Sequence, residues 1–303
     1  MIYKSVITAI VVAAAVQSFT VGVLSPKLSL EICRPGAETS RTVSFSGAKS
    51  LSLKNSDGAV KVEVGTGDTL DITANIRAYV SDRDSQPVAE EYVKGLVVAS
   101  ETGGDVSVVT EPGQRPDALD LRVDYLVTVP EGTDLVIQGS NGNVWVGKGC
   151  DDVDIQGNNS DIELNEPTGA IRAKCANGRI RVLNAPQATE IETVNGSIYA
   201  TVTGGEFKAT TANGNIVTTI ARPDVKACDL TAMNGGITLL LAEKCSAEVE
   251  ATTGRGDVRS DLPVTAPTGT SKRRELRGRI GAGETRLNLN SLNGNISIAR
   301  SDS

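Results

Sequence analysis

An Asn-Gly-x-Ile/Val phrase returns along the second half of this 303-residue chain at a nearly fixed interval, and that interval constrains the fold more than any other feature. It reads Asn141-Gly142-Asn143-Val144, Asn177-Gly178-Arg179-Ile180, Asn195-Gly196-Ser197-Ile198, Asn213-Gly214-Asn215-Ile216, Asn234-Gly235-Gly236-Ile237 and Asn293-Gly294-Asn295-Ile296. Degenerate copies stand at Asn159-Ser160-Asp161-Ile162 and Arg255-Gly256-Asp257-Val258. The β-branched residue falls at 144, 162, 180, 198 and 216, then at 237 and 258, and at 296 after a longer insertion. The period is therefore 18 residues, widening to 21.

Aligning the copies with the β-branched residue at position 11 shows which way each side chain faces. Position 2 is Leu135, Val153, Ile171, Thr189, Phe207, Cys228, Val249 and Leu287. Position 4 is Ile137, Ile155, Ala173, Ile191, Ala209, Leu230, Ala251 and Leu289. Position 6 is small, position 13 mostly apolar, and positions 3, 5 and 12 mainly polar or charged. Alternation at period two on both sides of an Asn-Gly turn predicts two short strands per copy, each with one buried face. Rungs at a fixed period, with no helix between them, bury their apolar faces by stacking on one another. The expected fold is all-β: a single-domain parallel β-solenoid of 18-residue, two-strand rungs, rising about 4.8 Å per rung. A coil of three hexapeptides would need apolar side chains at positions 2, 8 and 14. Position 8 is Asn, so that coil is excluded.

Two columns carry register. Position 8 is Asn141, Asn159, Asn177, Asn195, Asn213, Asn234 and Asn293. Stacked amides can bond along such a column, and Asn tolerates tight-turn backbone. Position 3 reads Asp154, Arg172, Glu190, Lys208 and Asp229, alternating in sign. Opposite charges on adjacent strands add roughly 0.2–1 kcal/mol each and discourage slippage. Both columns read as structural.

The first half reads as a β-rich cap over residues 43–133, ahead of the repeats at 134–303. Residues 50–67 resemble one more rung, with Leu51, Leu53, an Asp57-Gly58 turn, Val60 and Val62. Strand-like runs follow at 69–80, 105–110 and 119–129, and a short helix is expected near 87–96. Within the repeats, the insertion 260–284 holds the basic cluster Lys272, Arg273, Arg274, Arg277 and Arg279 and reads as a solvated loop. The last rung ends at Ser303 without a visible cap. An open parallel edge there invites self-association, so a scaffold assembled by end-to-end stacking is the alternative to a single interaction module.

The N-terminus reads as a targeting segment. Lys4 precedes an apolar run from Val6 to Val16, with Ala13 and Ala15 as a cleavage signal. The other possibility is an uncleaved anchor from Ser5 to Leu24. The expected organisation is thus signal peptide or anchor at 1–25 and linker at 26–42. The expected location is exported: periplasmic, cell-surface or membrane-anchored, with membrane contact only through this segment.

Composition removes several functions. The chain has no His, so it has no imidazole base, no Ser-His-Asp triad and no His metal ligand. A net charge of −7 argues against nucleic acid as a partner. No catalytic, cofactor-binding or metal-binding residues are expected. Paired carboxylates such as Asp151-Asp152 read as strand ends, and a polysaccharide-active enzyme is a distant alternative, since it needs acids clustered in a groove.

Val129-Pro130-Glu131-Gly132 opening a series of Asn-Gly-x-Ile rungs, closed by Leu287-Asn288-Leu289-Asn290-Ser291-Leu292-Asn293-Gly294-Asn295-Ile296, resembles the bacterial putative-adhesin β-strand-repeat family, a domain of unknown function. The resemblance covers residues 43–300. It implies a cell-envelope location and an adhesive or scaffolding role, and carries over no catalytic residues.

The surface candidates are Trp145 and Tyr199, both at position 12 on one flank, with Glu163 and Arg181 between them. An exposed aromatic flank suits a surface protein or polysaccharide. Arg255-Gly256-Asp257 spells an attachment tripeptide but fills positions 8–10, where the repeat requires a turn. Of the five cysteines, Cys175 and Cys228 face inward three rungs apart, too far to bridge. Cys150 and Cys245 lie in turns, and only Cys33 could reach a partner. Mostly buried, reduced cysteines are expected.

Overall fold

The structure, a computed structural model, describes residues 34–80, 84–110, 119–265 and 271–301. The expected signal or anchor segment and Cys33 lie outside the described residues. No helix among the described residues is long and apolar enough to cross a membrane.

Two long sheets, of 12 and 13 strands, face one another across a continuous apolar core. Each rung gives its first strand to one sheet, turns at the Asn-Gly phrase, and gives its second strand to the other. Rung 153–165, for example, is Val153–Asn159 followed by Ile162–Asn165. Its neighbours pair with it in parallel and in register, Val153 with Leu135 and Ile171, Ile162 with Val144 and Ile180. Positions 2, 4, 11 and 13 are the buried ones: Ile137, Ile155, Ala173, Ile191, Ile198 and Leu239 are all 0% exposed. Burying one such branched side chain contributes about 1.5–3 kcal/mol, so stacking is what stabilises a rung. The solenoid reading is therefore correct.

The order of the rungs differs from their order in sequence. Rungs 50–64, 134–146, 153–165, 171–185, 189–202, 205–220 and 225–241 stack consecutively, but the next is rung 285–300, and rung 247–260 lies outermost. Cys228 and Leu230 pair with Leu287 and Leu289, which pair in turn with Val249 and Ala251. The face pattern is the same whichever rung is the neighbour, so periodicity fixes which side chains point inward but not the order of stacking.

The chain returns through the insertion, whose described residues 271–280 form an antiparallel hairpin rather than a solvated loop. Ser271–Lys272 pairs with Glu275–Ile280, and Glu275–Ile280 lies along Ala247–Arg255, with Leu276 opposite Ala251. Leu276 and Ile280 are buried at 7% and 1% exposure. On the opposite sheet the outermost amide, Val258, donates to the Arg273 carbonyl at 3.0 Å. The C-terminal rung thus lies inside the stack and the outer rung carries a cover. The expectation of an open C-terminal edge is corrected accordingly.

The N-terminal end also closes with antiparallel strands. Asp105–Thr110 stacks in parallel on Ser50–Asp57 and is followed by antiparallel Val97–Thr102. Leu119–Val129 stacks on Val60–Val64 and is followed by antiparallel Thr69–Val80 and Arg34–Ser46. Of the linker expected at 26–42, the described part, 34–42, is instead strand, within Arg34–Ser46. Its polar Ser/Thr alternation suits an edge strand, which has only one neighbour to satisfy. The expected helix is Gln86–Tyr92, continued by a 3-10 turn at Val93–Gly95, and it buries Ala89 and Val93.

Candidate functional site

The turn ladder is continuous. Asn159 donates its side-chain amide to Asn141 Oδ1 at 2.7 Å, and Asn177, Asn195, Asn213, Asn234 and Asn293 each donate to the preceding Asn in the stack at 2.7–2.9 Å. Every amide points the same way, and Asn141 ends the chain on Asp57 Oδ1 at 2.7 Å. A second ladder runs inside the turn. Position 6 donates to the position-9 carbonyl of the rung beneath: Thr193 to Gly178, Thr211 to Gly196, Ser291 to Gly235 and Thr253 to Gly294, at 2.7–3.3 Å. The sequence marks position 6 only as small, because the bond depends on the approach of two rungs.

These ladders commit the turn asparagines to the fold. The same holds for the attachment-like tripeptide. Asp257 is clamped by Arg273 Nε at 2.6 Å and Arg259 Nη2 at 3.3 Å. The Arg273 hydrogen bond chiefly holds its carboxyl below the usual range. Cys150, Cys175, Cys228 and Cys245 are buried free thiols. Burial pushes the Cys150 thiol up to about 12 and the Cys228 thiol up as well, so neither is a nucleophile at neutral pH. Among the described residues, no three His, Cys, Asp or Glu side chains gather as a metal group would require.

The charge column on the first-strand face is only partly realised. Glu190 pairs with Arg172 at 3.5 Å and Lys208 at 3.1 Å, and Lys174 with Glu192 at 2.8 Å. Asp229 instead accepts from Asn288 at 2.6 Å, because rung 285–300 is its upper neighbour. Asp154 keeps one buried oxygen without a partner. A shallow groove of about 660 Å³ runs along this face and includes Asp134, Asp152, Asp154, Arg172, Glu190 and Lys208. Glu206 and Asp229 line it too, so six carboxylates face two basic side chains, and of the six only Glu190 is held in ion pairs among the described residues.

The second-strand flank is different. Along position 12 the strands bring Lys61, Trp145, Glu163, Arg181, Tyr199 and Val217 side by side. Trp145 is half-buried: Lys61 Nζ stands 5.3 Å from its ring centroid, and the ring lies close to Gly147. Tyr199 is 39% exposed, with the Arg179 guanidinium 5.8 Å from its ring centroid. Arg181 is exposed and sits directly beside Tyr199. Arg179, Arg181, Leu183, Tyr199, Thr201 and Thr219 surround a shallow depression of about 410 Å³. Of the candidates, Tyr199 and Arg181 are thus brought together, and Trp145 stands apart on the far side of Glu163. The residue that sequence reasoning missed is Arg179. It is position 10, on the turn, yet only two residues from Arg181 and so on the same face.

A sequence profile of the Toastrack DUF4097 family matches residues 121–299. No curated protein matches the chain. Solved structures to which the chain is similar include a putative adhesin from Bacteroides fragilis, at 11% identity and a TM-score of 0.44, covering 88% of this chain and 97% of that one. Another is a putative adhesin from Parabacteroides distasonis, at 10% identity and a TM-score of 0.39, covering 87% and 97%. A third, from the same species, is described as a putative lipid binding protein, at 16% identity and a TM-score of 0.36, covering 88% and 98%.

Proposed function

The chain belongs to the Toastrack DUF4097 family, and from its geometry we propose that it is a non-enzymatic, adhesin-like module of the cell envelope. It works as a rod that meets a surface polysaccharide or protein with its flank. The observation that carries this reading is Tyr199, an aromatic ring held 39% exposed on a strand face beside Arg179 and Arg181. Aromatic and Arg side chains are the usual anchors of contact surfaces. The turns are committed to internal ladders, and the groove of the opposite face sets six carboxylates against two basic side chains and presents no exposed aromatic ring. Export follows from the charged and apolar N-terminal segment, Lys4 and Val6 to Val16.

The test is retention of the labelled protein by envelope preparations from the source cells. Wild-type protein is retained, and Tyr199→Ala weakens retention about tenfold, the scale of a contact hot spot. Retention of Tyr199→Ala equal to wild type contradicts a flank-borne contact.

A further inference from the structure

The depression around Tyr199 combines groups that recognise one chemical class. Arg179 and Arg181 project from the same face of one rung, and neither has an ion-pair partner among the described residues. The acids nearest in the stack are otherwise placed: Asp161 accepts the backbone N–H of Arg179 at 2.7 Å, and Glu163 stands in register with Arg181 without closing an ion pair. Guanidinium binds carboxylate with a two-pronged geometry that an ammonium cannot reproduce.

Beside them, Tyr199 and Leu183 provide apolar surface, and Thr201 and Thr219 bring hydroxyls from the two strands beyond. A ring with one apolar face, several hydroxyls and one carboxylate matches this set. Resting on the flank reading above, we infer that the site binds a carboxylated sugar, a uronate unit of an acidic polysaccharide. The carboxylate lies against Arg179 and Arg181, the C–H face of the sugar against Tyr199, and its hydroxyls near Thr201 and Thr219. A volume of about 410 Å³ lies in the range of small-ligand sites. A shallow depression also lets a polymer continue past it.

The experiment is calorimetric titration of the purified full-length protein with tetragalacturonate and, separately, with neutral cellotetraose. The inference expects tetragalacturonate to bind at least about tenfold more tightly than cellotetraose, and Arg179→Gln/Arg181→Gln to remove that preference. Arg181→Lys should not restore it, because lysine keeps the charge but loses the fork. All three positions are exposed, and matching thermal melts confirm that the variants fold. Absence of tetragalacturonate binding, or binding that the double glutamine variant leaves unchanged, overturns the inference. The envelope assay separates the two readings. If Tyr199→Ala loses envelope retention while the arginine variant keeps it, the acidic-sugar assignment falls and the flank reading stands. If neither variant changes retention, both fall.

Discussion

Asn141 donates its side-chain amide to the carboxylate of Asp57 at 2.7 Å, and this single contact terminates a ladder that reaches Asn293. Because all the amides point toward Asp57, that end of the ladder needs an acceptor. Asp57→Ala should cost about 1 kcal/mol, the net value of a typical hydrogen bond. Asp57→Lys should cost more, since it sets a donor against a donor. Thermal melts at neutral pH test this, and a Lys variant as stable as wild type contradicts a polarised ladder.

The turn glycines are required by the approach of successive rungs. A Cβ on Gly196 would run into the carbonyl oxygen of Gly178, which also accepts from Thr193. Gly196→Ala should therefore destabilise by about 1–3 kcal/mol or more. Gly132 has open space around it and only a left-handed backbone, φ 76, to be strained. Gly132→Ala should therefore cost less, by comparison of urea midpoints. Equal losses would mean that rungs do not approach as closely as described.

Stability should fall in alkali. Tyr125 is buried among Thr110 and Asn55, sharing a 2.8 Å hydrogen bond with the Thr110 hydroxyl, which donates to Asn55 Oδ1 at 3.2 Å. Burial pushes its phenol from 10.0 up to about 12. A raised folded pKa contributes stability that is whole below the unfolded value, near 10, and lost as pH rises toward 12. The Cys150 thiol, raised from 9.0 to about 12, acts with the same sign. Urea unfolding from pH 9 upward should show this decline, and Tyr125→Phe should make it shallower. An unchanged slope in the Phe variant contradicts the assignment.

The covering hairpin makes a prediction about assembly. Leu276 packs against the outer rung opposite Ala251, so Leu276→Asp should loosen the hairpin and bare a parallel edge. Light scattering should show the wild type monomeric and the variant associating as concentration rises. A variant that stays monomeric would mean that the hairpin does not guard the edge.

Much of this was legible in sequence. Leu135, Ile137 and Val144 declare their facing by alternation alone, and Asn141 to Asn293 by recurrence. The strand at Arg34–Ser46 was not, because an edge strand of serines and threonines buries too little to show a period. The place of rung 285–300 was not, because Leu287 fits on Cys228 as well as on Val249, and only the hairpin's return path decides. Within the site, Tyr199 and Arg181 follow from position 12. Arg179 does not, since its position is otherwise a turn residue and its role depends on the ring across the neighbouring strand.

The most direct test of the flank as the recognition surface is amide NMR of the labelled protein titrated with polysaccharide extracted from the source envelope. The account predicts perturbations centred on residues 179–183, 199–201 and 217–219, with the opposite groove around Asp154 and Arg172 unmoved. Perturbations gathered in that groove, at the hairpin, or nowhere would contradict it.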